Sequence, residues 1–164
     1  IGTGTEKDRC DEEKLTKSNK KPFLAVNFGV KIDKDGSSVY TYLNGMERKS
    51  VYYSRREDKA KGITKDTQEV AWKDRYTFDK EGYRMIGVNV GVKKIVDKKG
   101  NEVNDKKVLT EYDACEEIGT NLKDDACVFV KGNLEFITYN DKHKVRLVPT
   151  QVSSFRPIDM EAED

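Results

Sequence analysis

Tyr52 and Tyr53 precede Arg55 and Arg56, Trp72 and Tyr76 flank Lys73 and Arg75, and Phe129 stands two positions before Lys131. Flat rings beside cations suit one kind of chemistry in particular. Bases stack on π faces at about 1–3 kcal/mol each, while Lys and Arg meet the phosphates of a single nucleic-acid strand. Val70 to Phe78 reads as an alternating strand, with Val70, Trp72, Asp74, Tyr76 and Phe78 on one face and Ala71, Lys73, Arg75 and Thr77 on the other. A core face there would bury Asp74, which is costly without a partner, so an exposed aromatic face is expected. Adjacent Tyr52 and Tyr53 cannot both point inward on a strand. In the last hairpin Val128 and Val130 should face the core, leaving Phe129 and Lys131 outward. Each ring also has a plainer reading as core or interface, and each lysine as solvated surface. The interleaving is the signal.

Other chemistries find less support. Cys10, Cys115 and Cys127 are odd in number and widely spaced, which favours a reducing compartment over a disulfide framework. No C-x-x-C or H-x-x-x-H spacing joins them to the single histidine, His143, so no metal centre is expected and Cys127 reads as a core residue. G-x-S-x-G, Walker-loop and H-E-x-x-H patterns are missing, and no carboxylate pair stands out among 30 Asp and Glu. Asp33-Lys34-Asp35-Gly36 lacks the spacing of a calcium loop and reads as a turn. The expectation is a protein without catalysis, metal or cofactor.

The formal charge of 31 − 30 = +1 hides a segregated distribution. Residues 47–75 carry nine Lys/Arg against six Asp/Glu, and residues 91–110 six against three, each net +3. Residues 111–125 are net −5 and the end from Arg156 net −3. Separated basic and acidic regions suit a surface that follows a phosphate backbone on one side. No apolar run approaches the roughly 18 residues of a membrane helix, and the opening Ile-Gly-Thr-Gly-Thr has no signal-peptide pattern. A cytoplasmic setting is expected.

These side chains must be positioned by strands. Residues 1–21 read as a flexible N-terminal arm, or as a marginal helix over residues 11–17. Strand formers then run through residues 23–32, 39–43 and 50–54, with Gly45 read as a bulge bending one long strand in preference to a hairpin turn. Residues 55–68 read as a long exposed loop. Tyr83–Val96 reads as one strand with Ile86, Val88, Val90 and Val92 inward, and Gly87, Asn89, Gly91 and Lys93 on a face open to ligand. Tyr112, Cys115 and Ile118 keep helical spacing in residues 110–119, with Thr110 and Asp113 as a capping box and Gly119 as the stop. A final hairpin over residues 126–152 and an acidic tail at 157–164 complete the chain.

Many short strands with one helix before the last hairpin is the order of a mainly β, five-stranded OB-fold barrel, placed at residues 22–156. The helix Ala114–Leu122, the turn Lys123-Asp124-Asp125, the strand Val128-Phe129-Val130-Lys131-Gly132-Asn133-Leu134-Glu135, the turn Tyr139–His143 and the closing strand Val145–Val152 resemble the OB-fold single-stranded DNA-binding proteins of bacteria, phages and plasmids. The resemblance covers Ala114 to Val152 of the 164 residues, and residues 55–68 look like an insertion relative to it. It implies binding and protection of single-stranded DNA with low sequence specificity, in replication, recombination or DNA transfer. It also implies an acidic tail that recruits replication or recombination proteins, and leaves the oligomeric state open. Tyr52, Tyr53, Arg55, Arg56, Trp72, Lys73, Arg75, Tyr76, Lys93, Phe129 and Lys131 are the candidate contacts. An RNA binder of the same fold, and a small barrel that binds protein, remain open beside it.

Overall fold

A computed structural model describes residues 14–15 and 20–157. Most of the expected arm and the acidic residues beyond Pro157 lie outside the described residues. The protein is mainly β, 53% strand with one helix among the described residues, and its principal sheet is curled into half a barrel. Among the described residues, no helix is long and apolar enough to cross a membrane.

The described chain starts with a short strand, β1 (Lys14–Leu15), which pairs with Pro22 and Phe23 where a marginal helix was expected. β2 (Pro22–Lys31) and β3 (Ser38–Met46) form an antiparallel hairpin. Alternation on β2 sends Leu24, Val26 and Phe28 into the core and Asn27 out. The chain then leaves this sheet for a second, three-stranded one made of β4 (Ser50–Arg55), β5 (Asp66–Ala71) and β6 (Tyr83–Met85), in the order β5-β4-β6. It returns with β7 (Val88–Gly91), makes a small hairpin from β8 (Lys94–Val96) and β9 (Glu102–Asn104), and pairs β10 (Lys107–Leu109) with β7. The helix α1 (Glu111–Asn121) precedes the long hairpin β11 (Val128–Tyr139) and β12 (Lys142–Ser154). Asn140 and Asp141, both at positive φ, make the two-residue turn whose twist suits such a hairpin.

β12 joins the parts of the principal sheet. β11 pairs with it along its full length, so its other edge serves both β3, through Leu147 and Thr41, and β7, through Gln151–Ser153 and Asn89–Gly91, both in parallel. Pro149, opposite Gly132 on β11, falls between these two pairings and beside a bulge, a place where strands tolerate proline.

The helix packs across the concave side of this sheet. Ala114, Cys115, Ile118 and Leu122 meet Leu24, Val26, Phe28, Leu43, Val88, Val90, Val92 and Val152 in one core. Thr110 caps α1 as its sequence suggests, its hydroxyl oxygen accepting from the Asp113 N–H. Gly119 does not stop the helix, which continues to Asn121. Gly45 is neither bulge nor turn. It sits in regular register opposite Leu24, and a Cβ there would run into the backbone N of Tyr112, so glycine lets α1 lie directly on the strand. Cys115 is the buried thiol, its Sγ 3.4 Å from the Leu43 carbonyl, whereas Cys127 is half-buried.

Candidate nucleic-acid interface

The second sheet separates the two candidate tyrosines by alternation alone. Val51 and Tyr53 on β4 face Val70 and Met85 to form a second, small core. Tyr53 is therefore a packing residue, removed from the expected contact set: its ring lies 4.6 Å from that of Phe78, and its hydroxyl donates to the Arg75 carbonyl at 2.6 Å. Burial pushes its hydroxyl pKa up. Tyr52 points the other way and is 46% exposed. The Ile86 N–H donates to the Tyr52 carbonyl at 2.8 Å, which sets Ile86, 61% exposed, opposite Tyr52 across the two strands. Arg84 lies opposite Ser54 on the same outer face.

Next to this face runs an open groove of about 1070 Å³. Its walls come from β4, the segment after it, β6 and the start of β7. Arg55, Arg56, Lys59, Lys61 and Arg84 line it against Glu57, Asp58 and Glu81, a surplus of two cations. Ile63, Met85, Ile86 and Val108 supply an apolar lining. Residues 55–68 are thus more ordered than the exposed loop expected of them: Asp58 and Ile63 pair across a 3-10 turn at Lys59–Lys61, and β5 begins at Asp66. Arg55 is committed within the protein, its Nε donating to the Thr64 carbonyl and its guanidinium 5.1 Å from the Tyr83 ring. Lys61 stands 3.8 Å from Asp58. Arg56, Lys59 and Arg84 make no salt bridge among the described residues. Past Asn89 and Val108, which line both, a smaller hollow of about 160 Å³ carries Lys106 and Lys107.

The Trp72–Tyr76 segment is built differently from its expected strand. β5 ends at Ala71, and Trp72–Asp74 form a 3-10 turn, so the aromatic face read from alternation does not exist. Asp74 is exposed. Arg75 turns inward: its Nε and an Nη donate to the two Asp113 oxygens at 2.8 and 3.1 Å, and its guanidinium lies 4.4 Å from the Trp72 ring and 5.1 Å from that of Tyr76. Trp72 also meets Tyr112 edge-on. Tyr76 donates to Asp113 at 2.5 Å, and burial together with that bond pushes its pKa up to about 12. Burial would raise the Asp113 carboxyl, but the bonds from Arg75, Tyr76 and Thr110 outweigh it and hold the group below its ordinary value. Trp72, Arg75 and Tyr76 therefore clamp α1 to the second sheet. Lys73 remains exposed on the turn.

None of Lys73, Lys93, Phe129 and Lys131 lines the groove. Lys93 is exposed, just past β7. Phe129 and Lys131 lie outward on β11 as expected, Phe129 46% exposed. Sequence reasoning missed Lys59, Lys61, Arg84 and Ile86. The Ile86–Val92 alternation pointed Ile86 inward, but the strand breaks at Gly87, where a Cβ would strike the Leu109 carbonyl oxygen. That Gly, directly after Ile86, was the available signal.

Fold and site together define a curled β protein with a basic groove beside an exposed aromatic and aliphatic face. Residues 57–164 match the YorF family, and the chain belongs to it. No curated protein and no solved structure matches the chain.

Proposed function

We propose that this chain binds single-stranded DNA with little sequence preference, along the groove beside β4 and β6. The observation that carries the reading is the placement of Tyr52 and Ile86, both outward, next to a groove with excess cations at Arg56, Lys59 and Arg84. A base stacks on Tyr52 with Ile86 at its edge, and the three cations meet neighbouring phosphates. The groove leads toward Lys106 and Lys107, which extends the track. An OB-type barrel is the fold this reading carries, supported by a helix directly before the last hairpin. The acidic residues near the C-terminal end of the sequence are the segment through which replication or recombination proteins are recruited in this reading.

Fluorescence anisotropy with labelled oligo-dT tests it, with oligo-U and duplex DNA as parallel arms. Binding should weaken as salt rises, with a log–log slope of about −0.7 per phosphate contact on a single strand. Arg56→Glu with Arg84→Glu should lower affinity and flatten that slope by about 1.4. Absence of binding at low salt overturns the reading, and equal affinity for duplex removes its single-strand character. Tighter binding to oligo-U makes RNA the ligand.

A further inference from the structure

β11 is a 12-residue strand whose only strand partner among the described residues is β12, so one whole edge of it is open. Open edges of this length pair readily with another strand, and proteins blunt them with charge, proline or bulges. β11 has no proline, and its bulge lies on the β12 side, where Thr150 is the extra residue between Pro149 and Gln151. The outer half of the hairpin also shows much apolar surface, with Leu134 59% and Phe136 78% exposed. Both features call for a partner strand.

We infer that the partner is β11 of a second copy of this chain, joined edge to edge about a two-fold axis at Asn133. Antiparallel strands related by a two-fold perpendicular to the sheet must place one residue opposite its own copy, so pairing joins residues on the same face. β11 carries only two charged side chains, Lys131 and Glu135, equally spaced about Asn133. Centring on Asn133 puts each Lys131 opposite the other copy's Glu135, twice per dimer. The same register sets Phe129 against Ile137, Val130 against exposed Phe136, and Gly132 against exposed Leu134. Glu135 already meets Arg146 on its own β12, and its second oxygen leaves room for the new lysine. Moving the axis one residue to Gly132 or Leu134 loses the charge pairing. The interaction is independent of the groove, which lies on other strands.

Sedimentation velocity of the full chain over a range of concentrations should show a monomer–dimer equilibrium. Lys131→Glu alone sets carboxylate against carboxylate across the axis, and Glu135→Lys alone sets ammonium against ammonium. Each reversal should weaken its own homodimer about tenfold, since directly opposed like charges destabilise and opposite ones stabilise cross-strand pairs. Mixing the two variants should restore assembly, because the mixed dimer again holds opposite charges across the axis. Thermal unfolding of each variant checks that the chain remains folded, and loss of Glu135–Arg146 acts equally in monomer and dimer. A monomer at all concentrations overturns the inference, including one whose β11 edge N–H groups are protected from exchange by its own N-terminal residues. So does a dimer that neither reversal weakens, or a mixture that fails to recover.

Discussion

Arg75 and Asp113, distant in sequence, form a two-pronged ion pair that joins the turn after β5 to the first turn of α1. Asp113 also accepts from Tyr76 and from Thr110, so one carboxylate serves a cation, a phenol and a helix cap. Asp113→Asn leaves Arg75 without its counter-charge and removes an acceptor from that set. Breaking one side of a pair this sheltered should cost about 2–3 kcal/mol, read as a lower urea midpoint at neutral pH. The side-chain exposures, 22% and 16%, set that figure below the range for a fully buried pair.

The same carboxylate gives the stability a pH dependence of defined sign. Its pKa in the folded protein lies below the ordinary 3.8, so folding favours its ionised form. That contribution is complete above the unfolded value and disappears as pH falls through the lower, folded one. Urea midpoints taken from pH 6 down to about pH 3 should fall more steeply for the native chain than for Asp113→Asn. Parallel curves would show that Asp113 carries no net linkage.

Thr41 offers the opposite test, a substitution that should stabilise. Its hydroxyl is fully buried on β3 and has no hydrogen-bond partner among the described residues. Valine keeps the shape and removes the unmet polar atom. Thr41→Val should raise stability by about 1–2 kcal/mol, seen as a higher melting temperature in a thermal scan.

Neighbouring Tyr52 and Tyr53 should respond in different assays. Tyr53→Phe loses a hydroxyl bonded to the Arg75 carbonyl and should lower stability by about 1 kcal/mol without changing oligo-dT affinity. Tyr52→Ala should keep its melting temperature and lose about 1–3 kcal/mol of oligo-dT binding, the worth of one stacked base. Affinity unchanged in Tyr52→Ala would take that ring out of the site.

Gly45 is a further position to test. Adding one methyl by Gly45→Ala sets a Cβ against the backbone of α1, which cannot swing aside as a side chain can. A loss of about 3 kcal/mol is expected, at the upper end for an overpacked core, measured by equilibrium unfolding.

What could be read from sequence was local. The Thr110–Asp113 cap, the outward Phe129 and the final hairpin each depend on residues a few positions apart, and the structure has all three. Misreadings came from contacts between distant segments. Trp72–Phe78 alternates convincingly, yet the Arg75–Asp113 pair accompanies a turn that erases the pattern. Gly45 looked like a bend because glycine weakens strands, and the helix that requires its small size comes much later in the chain. Part of the candidate interface was legible, in Tyr52 and Arg56. Arg84 and Ile86 join it because β6 pairs back onto β4 from a distant part of the chain, and Lys59 because Asp58 and Ile63 close a turn beside them.

The central position of β12 has a consequence for the order of assembly. It follows every other described strand in the sequence, yet β3 and β7 meet the sheet through it. A ribosome emitting this chain therefore releases both edges before their common neighbour exists. Until residues 142–154 emerge, Thr41 and Asn89 wait with open ladders, and the principal core lacks Val152. This sheet thus closes only after the final hairpin has cleared the ribosome, and truncations that remove β12 should leave aggregation-prone fragments in place of a smaller stable domain.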